Sequence, residues 1–187
     1  MAINLSKGQR IDLGLEKVRI VLGWRPNIGT GFDFDLDASA FMLSKDGQIP
    51  AERFFVFYNN QRSVDESVES SGDDLTGDDG ESLTVDLNKV DPRIEEIIFT
   101  VTIHDAEARR QNFGQVHNSF ISLYDIQDPN HEVEVARYDL DEDFSIETAV
   151  EFGRLYRRNG SWRFEAMGRG VHGGLQELVN RYARLFA

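Results

Sequence analysis

Cysteine is absent from this 187-residue chain. That excludes disulfides, thiolate metal sites, iron–sulfur clusters and thiol redox chemistry within the polypeptide. No run of about 18 apolar residues occurs, so no transmembrane helix is expected. The opening MAINLSKGQR lacks the apolar stretch of an export signal, and the expected compartment is the cytoplasm. Bases are scarce: 20 Lys and Arg stand against 33 Asp and Glu, a formal net charge of −13. Such a chain repels nucleic acid and anionic lipid, so neither nucleic-acid binding nor direct membrane insertion is expected. Internal repeats, low-complexity tracts and linkers are missing too, and residues 1–187 read as one domain. With 40% hydrophobic residues and 13 Phe, the chain has enough apolar surface for one sizeable core.

What is present alternates with period two over most of its length. Ile11, Leu13 and Leu15 alternate, as do Val18, Ile20, Leu22 and Trp24. Phe34, Leu36, Ala38, Ala40 and Met42 alternate with Asp33, Asp35, Asp37, Ser39 and Phe41. RFFVFY at 53–58 is a nearly continuous aromatic run, suited to a strand buried on both faces. Leu83, Val85 and Leu87 alternate, EIIFTVTIH at 96–104 is β-branched and aromatic, and further runs cover 119–126 and 133–140. These are strand signals, recurring about every 10–15 residues. Asn159-Gly160, inside RLYRRNGSWRFEAM at 154–167, predicts a hairpin with a tight two-residue turn. The period then changes. Leu175, Leu178, Val179, Tyr182, Leu185 and Phe186 fall at helical spacing, predicting an amphipathic helix from about Gly174 to the end. Short helical turns are expected at Asp91-Pro92 and at Ser145. The expected fold is mainly β: an antiparallel β-sandwich with a C-terminal helix. The 60–82 stretch is the most loop-like part.

Charge is unevenly distributed. Asp65 to Asp91 holds ten acids and one base, Lys89, whereas Arg154 to the end holds seven Arg and two acids. The densest acidic stretch, GDDLTGDDGESL at 72–83, combines five carboxylates with three glycines and no base. Hard divalent cations take six to eight oxygens from carboxylates, carbonyls and water. Acids supply that charge, glycines let the backbone wrap, and Thr76 adds an oxygen. Calcium is the cation this pattern suits, against the alternative of a solvated loop. Asp33, Asp35 and Asp37 share one strand face, a costly row of like charge unless water or a cation neutralises it or the strand is a charged edge. His104-Asp105 closes a strand and offers a further ligand, or only a turn. Asp33, Asp35 and Asp37 match the first three ligand positions of a helix–loop–helix calcium loop. Ala38 then stands where glycine is needed and Ser44 where glutamate is, so the site is not an EF-hand.

Other patterns lead less far. GRGVHG at 168–173 fits G-x-G-x-x-G, but no βαβ unit follows, and a glycine-rich turn is expected. The four histidines show neither HxH nor HExxH spacing, so zinc has little support. No G-x-S-x-G marks a serine hydrolase.

Taken together, the chain resembles the TerD family of tellurite-resistance and stress-response proteins. The resemblance is carried by INLSKG at 3–8, DFDLDASAFML at 33–43, RFFVFYNN at 53–60, GDDLTG at 72–77, FTVTIHDA at 99–106, QNFGQVHNSFI at 111–121 and ARYDLDED at 136–143. It implies a β-sandwich binding one or two Ca2+ ions through acids at one end of the sheets. Asp35 and Asp37 match the family's DLD pair, Asp73 and Asp74 its GD(N/D) pair, and Asp105 its HDA acid. Asp78, Asp79 and Glu81 match the acidic tract after TG, which is shorter in this chain than the family pattern.

Three functions are weighed. The first is a non-enzymatic calcium-binding module in which the ion orders the acidic loop for partner interaction. The family implies that the partners are other stress and tellurite-resistance proteins in a membrane-associated complex, with the Arg-rich C-terminal region as a candidate contact surface. The second is a tellurite-processing enzyme or carrier, disfavoured because tellurite is an anion and the chain has no thiol. The third is a metal-free structural acidic sandwich.

Overall fold

The computed structural model describes residues 1–25, 34–71, 80–140 and 146–186. Two six-stranded sheets form the architecture. The first contains β1 (Ile3–Asn4), β3 (Lys17–Gly23), β6 (Val68–Ser70), β7 (Glu81–Asp86), β9 (Phe120–Asp125) and β10 (Val133–Asp139), in the order β1-β10-β9-β3-β7-β6. The second contains β2 (Arg10–Asp12), β4 (Leu36–Ser44), β5 (Phe55–Val56), β8 (Ile94–Ile103), β11 (Ala149–Arg158) and β12 (Ser161–Val171), in the order β2-β12-β11-β8-β4-β5. All pairings are antiparallel except β1 with β10, which is parallel. The helices are α1 (Ala106–Arg109) and α2 (Gly174–Tyr182).

The alternating residues make the core. Val18, Ile20 and Leu22 of β3 and Leu83 and Val85 of β7 are fully buried, and so are Ala40 and Met42 of β4 with Ile97 and Phe99 of β8. Each is apolar at every second position, so each strand buries one continuous stripe between the sheets. On the outer face of the second sheet, α2 buries Leu178 and Tyr182, the latter tilted against Phe41 at 5.3 Å between ring centroids.

The β11–β12 hairpin turns where expected. Asn159 (φ 51°) and Gly160 (φ 78°) are both left-handed, as a type I′ turn requires. Several details differ from the sequence reading. RFFVFY is not one strand: Glu52–Phe54 form a 3-10 turn, Phe55–Val56 pair with β4 at the sheet edge, and Phe57 bridges back to Asn60. Phe54, Phe55 and Val56 are buried all the same, and Phe55 stacks between Phe41 and Phe57 at 4.3 Å from each, whereas Arg53 and Tyr58 are exposed. Asp91-Pro92 opens a turn, not a helix: Asp91 accepts the Arg93 amide on its carboxylate (2.9 Å) and the Ile94 amide on its carbonyl (2.9 Å). The turn expected at Ser145 lies outside the described residues, and the short helical turns occur at 52–54, 106–109 and 113–115. GRGVHG is not wholly a turn, since its first four residues finish β12 and Gly173 caps α2. The loop-like 60–82 stretch contains β6, whose three residues are too few to show a period.

The Arg-rich region is largely occupied internally. Arg154 bridges Glu96 (2.7 Å) and Glu165 (2.9 Å), Arg10 also reaches Glu165 (2.8 Å), and Arg163 pairs with Asp12 (2.9 Å). Arg157 donates to the Ile94 carbonyl (2.7 Å) and lies over the Trp162 ring at 4.5 Å. Burial alone would raise the Glu165 carboxyl's pKa, but hydrogen bonds from Arg10 and Arg154 hold it below its ordinary value. The stability Glu165 adds is therefore present above its unfolded pKa and lost as pH falls through its folded one.

Candidate metal-binding end of the sandwich

The strand registers bring one set of chain segments to one end of the sandwich. Leu22 of β3 pairs with Glu81 of β7, Gly23 with Phe120 of β9, and Phe120 with Asp139 of β10. In the other sheet Leu36 pairs with Ile103. The Glu81 side chain of the first sheet meets the Ala38 amide of the second, so Arg25, Asp35, Gly80, His104-Asp105 and Leu140 leave their strands at a common end. The acidic stretch joins β6 to β7 there. Its base is closed by the Ser71 amide on the Ser82 carbonyl (2.8 Å) and the Ser82 amide on the Ser71 hydroxyl (3.1 Å).

Of the acids singled out in the sequence, Asp35, Asp37, Glu81 and Asp105 fall on described residues. Asp33, Asp73, Asp74, Asp78 and Asp79 lie outside them. Asp35 precedes β4 and accepts the His104 amide on its backbone carbonyl (2.7 Å). Asp37 lies within β4 and is 9% exposed. Asp105 follows His104 in left-handed backbone (φ 50°), a conformation Asp tolerates better than most side chains. It lines an open cleft of about 980 Å³ with Glu107, Arg110, Thr148 and His172.

His104 joins these acids. Its Nδ1 is 4.0 Å from Asp37 Oδ2 and its Nε2 is 3.4 Å from Asp105 Oδ2. The imidazole therefore stands between the two carboxylates, a role that sequence spacing to other histidines did not reveal. Its adjacency to Asp105 at the end of a strand was the available signal. Among the described residues, no three acidic or histidine side chains converge closely enough to hold a metal ion by themselves.

Glu81 occupies different ground. It is 3% exposed and stands in the core-facing row of β7 with Leu83 and Val85. Its Oε2 accepts the backbone amide of Ala38 on β4. Gly80, just before it, has φ +69°, and a Cβ there would lie 2.0 Å from the Leu22 carbonyl oxygen.

Comparison with known proteins places this chain among named relatives. Residues 1–182 match the TerD domain model. The chain is 48% identical to tellurium resistance protein TerD of Serratia marcescens, covering 97% of each chain. It is likewise 48% identical, over 97% of each, to general stress protein 16U of Bacillus subtilis (strain 168). Among solved structures, a homologue of telluride resistance protein (TerD) from Streptomyces coelicolor A3(2) superposes with a TM-score of 0.71 at 22% identity, covering 88% of this chain and 95% of that one. That structural likeness speaks for the fold alone.

Proposed function

Since the chain belongs to the TerD family of tellurium-resistance and stress-response proteins, we propose that it is a non-enzymatic calcium-binding module whose acidic loop, once ordered, is read by partner proteins. The observation that carries this reading is the placement of Asp35, Asp37 and Asp105 at the same end of the sandwich as both ends of the 72–79 stretch. The donor chemistry fits a hard cation: carboxylates dominate and no thiolate is available. Three described carboxylates fall short of the six to eight oxygens calcium takes, so Asp73, Asp74, Asp78 and Asp79 are the residues proposed to complete the set. Bound calcium would supply the positive charge that lets these acids sit together. The chain's own part is to hold Asp37 in a rigid strand, to place Asp105 by its left-handed turn, and to close the loop's base through Ser71 and Ser82.

The proposed partners are other stress-response and tellurium-resistance proteins, within a membrane-associated complex and in the cytoplasm. Among the described residues no helix is long and apolar enough to cross a membrane. The internally paired arginines favour the loop end over the Arg-rich region as the surface offered to partners. Direct processing of tellurite is disfavoured by a net charge of −13 and by the absence of cysteine.

A second reading has one observation in its favour. The His104 imidazole already sits between Asp37 and Asp105, so a metal-free corner is the alternative. Thermal melting separates the two. At calcium a hundredfold above its dissociation constant, the calcium reading predicts about 2.7 kcal/mol of stabilisation, a rise of about 5–10 °C that EDTA reverses. The metal-free reading predicts identical melting in calcium and in EDTA.

A further inference from the structure

We infer that Glu81 is a strut between the two sheets, a positioning residue that fixes the exit of the acidic loop, rather than one of its cation ligands. Sequence grouping puts Glu81 with the loop's acids, but its backbone register puts it with the core. On β7 it shares a face with Leu83 and Val85, and it pairs with Leu22, which is fully buried. A carboxylate at such a position is tolerated only if it finds a strong donor. The Ala38 amide is one such donor. β5 pairs with β4 at Ala40 and Phe41, so among the described residues the β4 edge at Ala38 has no strand neighbour, and Glu81 supplies the acceptor that a neighbouring strand would have supplied.

The bond runs from the first residue of β7, in one sheet, to the residue after Asp37, in the other. Gly80 presses on the β3 backbone at Leu22 with no room for a side chain. The dipeptide Gly80-Glu81 is thus held to β3 on one side and to β4 on the other, where the acidic stretch re-enters the fold. The strut stands whether or not a cation binds; its effect on cation affinity rests on the calcium reading proposed above.

Three proteins test it: wild type, Glu81→Ala and Glu81→Gln. The glutamine keeps an oxygen that accepts the Ala38 amide but loses the charge a ligand needs. In EDTA, Glu81→Ala should melt about 5 °C below wild type, because a buried amide loses a charged acceptor. Its Ala38 amide should lose hydrogen-exchange protection, and Glu81→Gln should restore both properties. In calcium titrations Glu81→Gln should keep affinity within about threefold, while Glu81→Ala should lose about tenfold as the loop exit loosens. Unchanged melting and Ala38 exchange in Glu81→Ala would remove the strut. A Glu81→Gln protein that melts like wild type in EDTA yet loses affinity about a hundredfold would make Glu81 a ligand after all. If wild type binds no calcium, the EDTA measurements still decide the strut, and the failure belongs to the calcium reading.

Discussion

Gly80→Ala is expected to destabilise the fold by about 4 kcal/mol, seen as a lower urea midpoint with an unchanged slope. Two penalties add. A left-handed φ of +69° costs an L-residue about 1–2 kcal/mol. The new methyl would lie 2.0 Å from the Leu22 carbonyl oxygen and 2.8 Å from Gly23 Cα. Both are backbone atoms, so no side chain can swing aside. Relief requires β3 and β7 to part where Leu22 pairs with Glu81, which also threatens the Glu81–Ala38 bond. A substitution tolerated within about 1 kcal/mol would mean that β7 is held less firmly against β3 than its register implies.

Arg169→Ala is expected to cost about 3 kcal/mol or more. Glu151 on β11 is fully buried beneath α2, and its carboxylate takes Arg169, the Tyr182 hydroxyl and, at 3.4 Å, Arg181. Burial alone would lower the Arg169 guanidinium's pKa, but the Glu151 contact raises it above its ordinary value. Removing Arg169 leaves the buried carboxylate with the Tyr182 hydroxyl and the partly exposed Arg181 at 3.4 Å. Replacing Glu151 and Arg169 together by methionine should recover much of the loss, since the burial penalty then disappears along with the pairing. Urea titration of the single and double variants measures both. The same cluster sets an alkaline limit. Burial, then the Glu151 contact, push the Tyr182 phenol up to about 12 from 10.0. The folded state therefore holds this proton more tightly than the unfolded chain does. Its contribution is complete below pH 10 and is lost between about pH 10 and 12, and Tyr182→Phe should flatten that part of the pH–stability curve.

Two of the sandwich strands were legible because they bury one face each: Val18 to Leu22 and Leu83 to Leu87 carry the alternation that burial demands. The 96–104 run was legible from its β-branched and aromatic residues instead, since Ile97 to Ile103 are buried on both faces. The Asn159-Gly160 turn was legible because few residue pairs accept two left-handed positions. The short edges were not: β1, β5 and β6 have two or three residues each, too few for a period, and what holds them is pairing with distant strands. At the candidate site, Asp35, Asp37 and Asp105 could be grouped from sequence, whereas the place of His104 between two carboxylates depends on the β4–β8 register. In the sequence, Glu81 groups with its acidic neighbours in the loop; in the structure it stands in the core-facing row of β7 with Leu83 and Val85.

The central claim is that the acidic end of the sandwich is a calcium site. Calorimetric titration of calcium into EDTA-stripped protein tests it most directly, with Asp37→Asn and Asp74→Ala alongside wild type. Saturable heat at one or two ions per chain in wild type, with affinity reduced about a hundredfold or more in both variants, is the predicted result. No heat in wild type, or equal affinity in all three proteins, would contradict it.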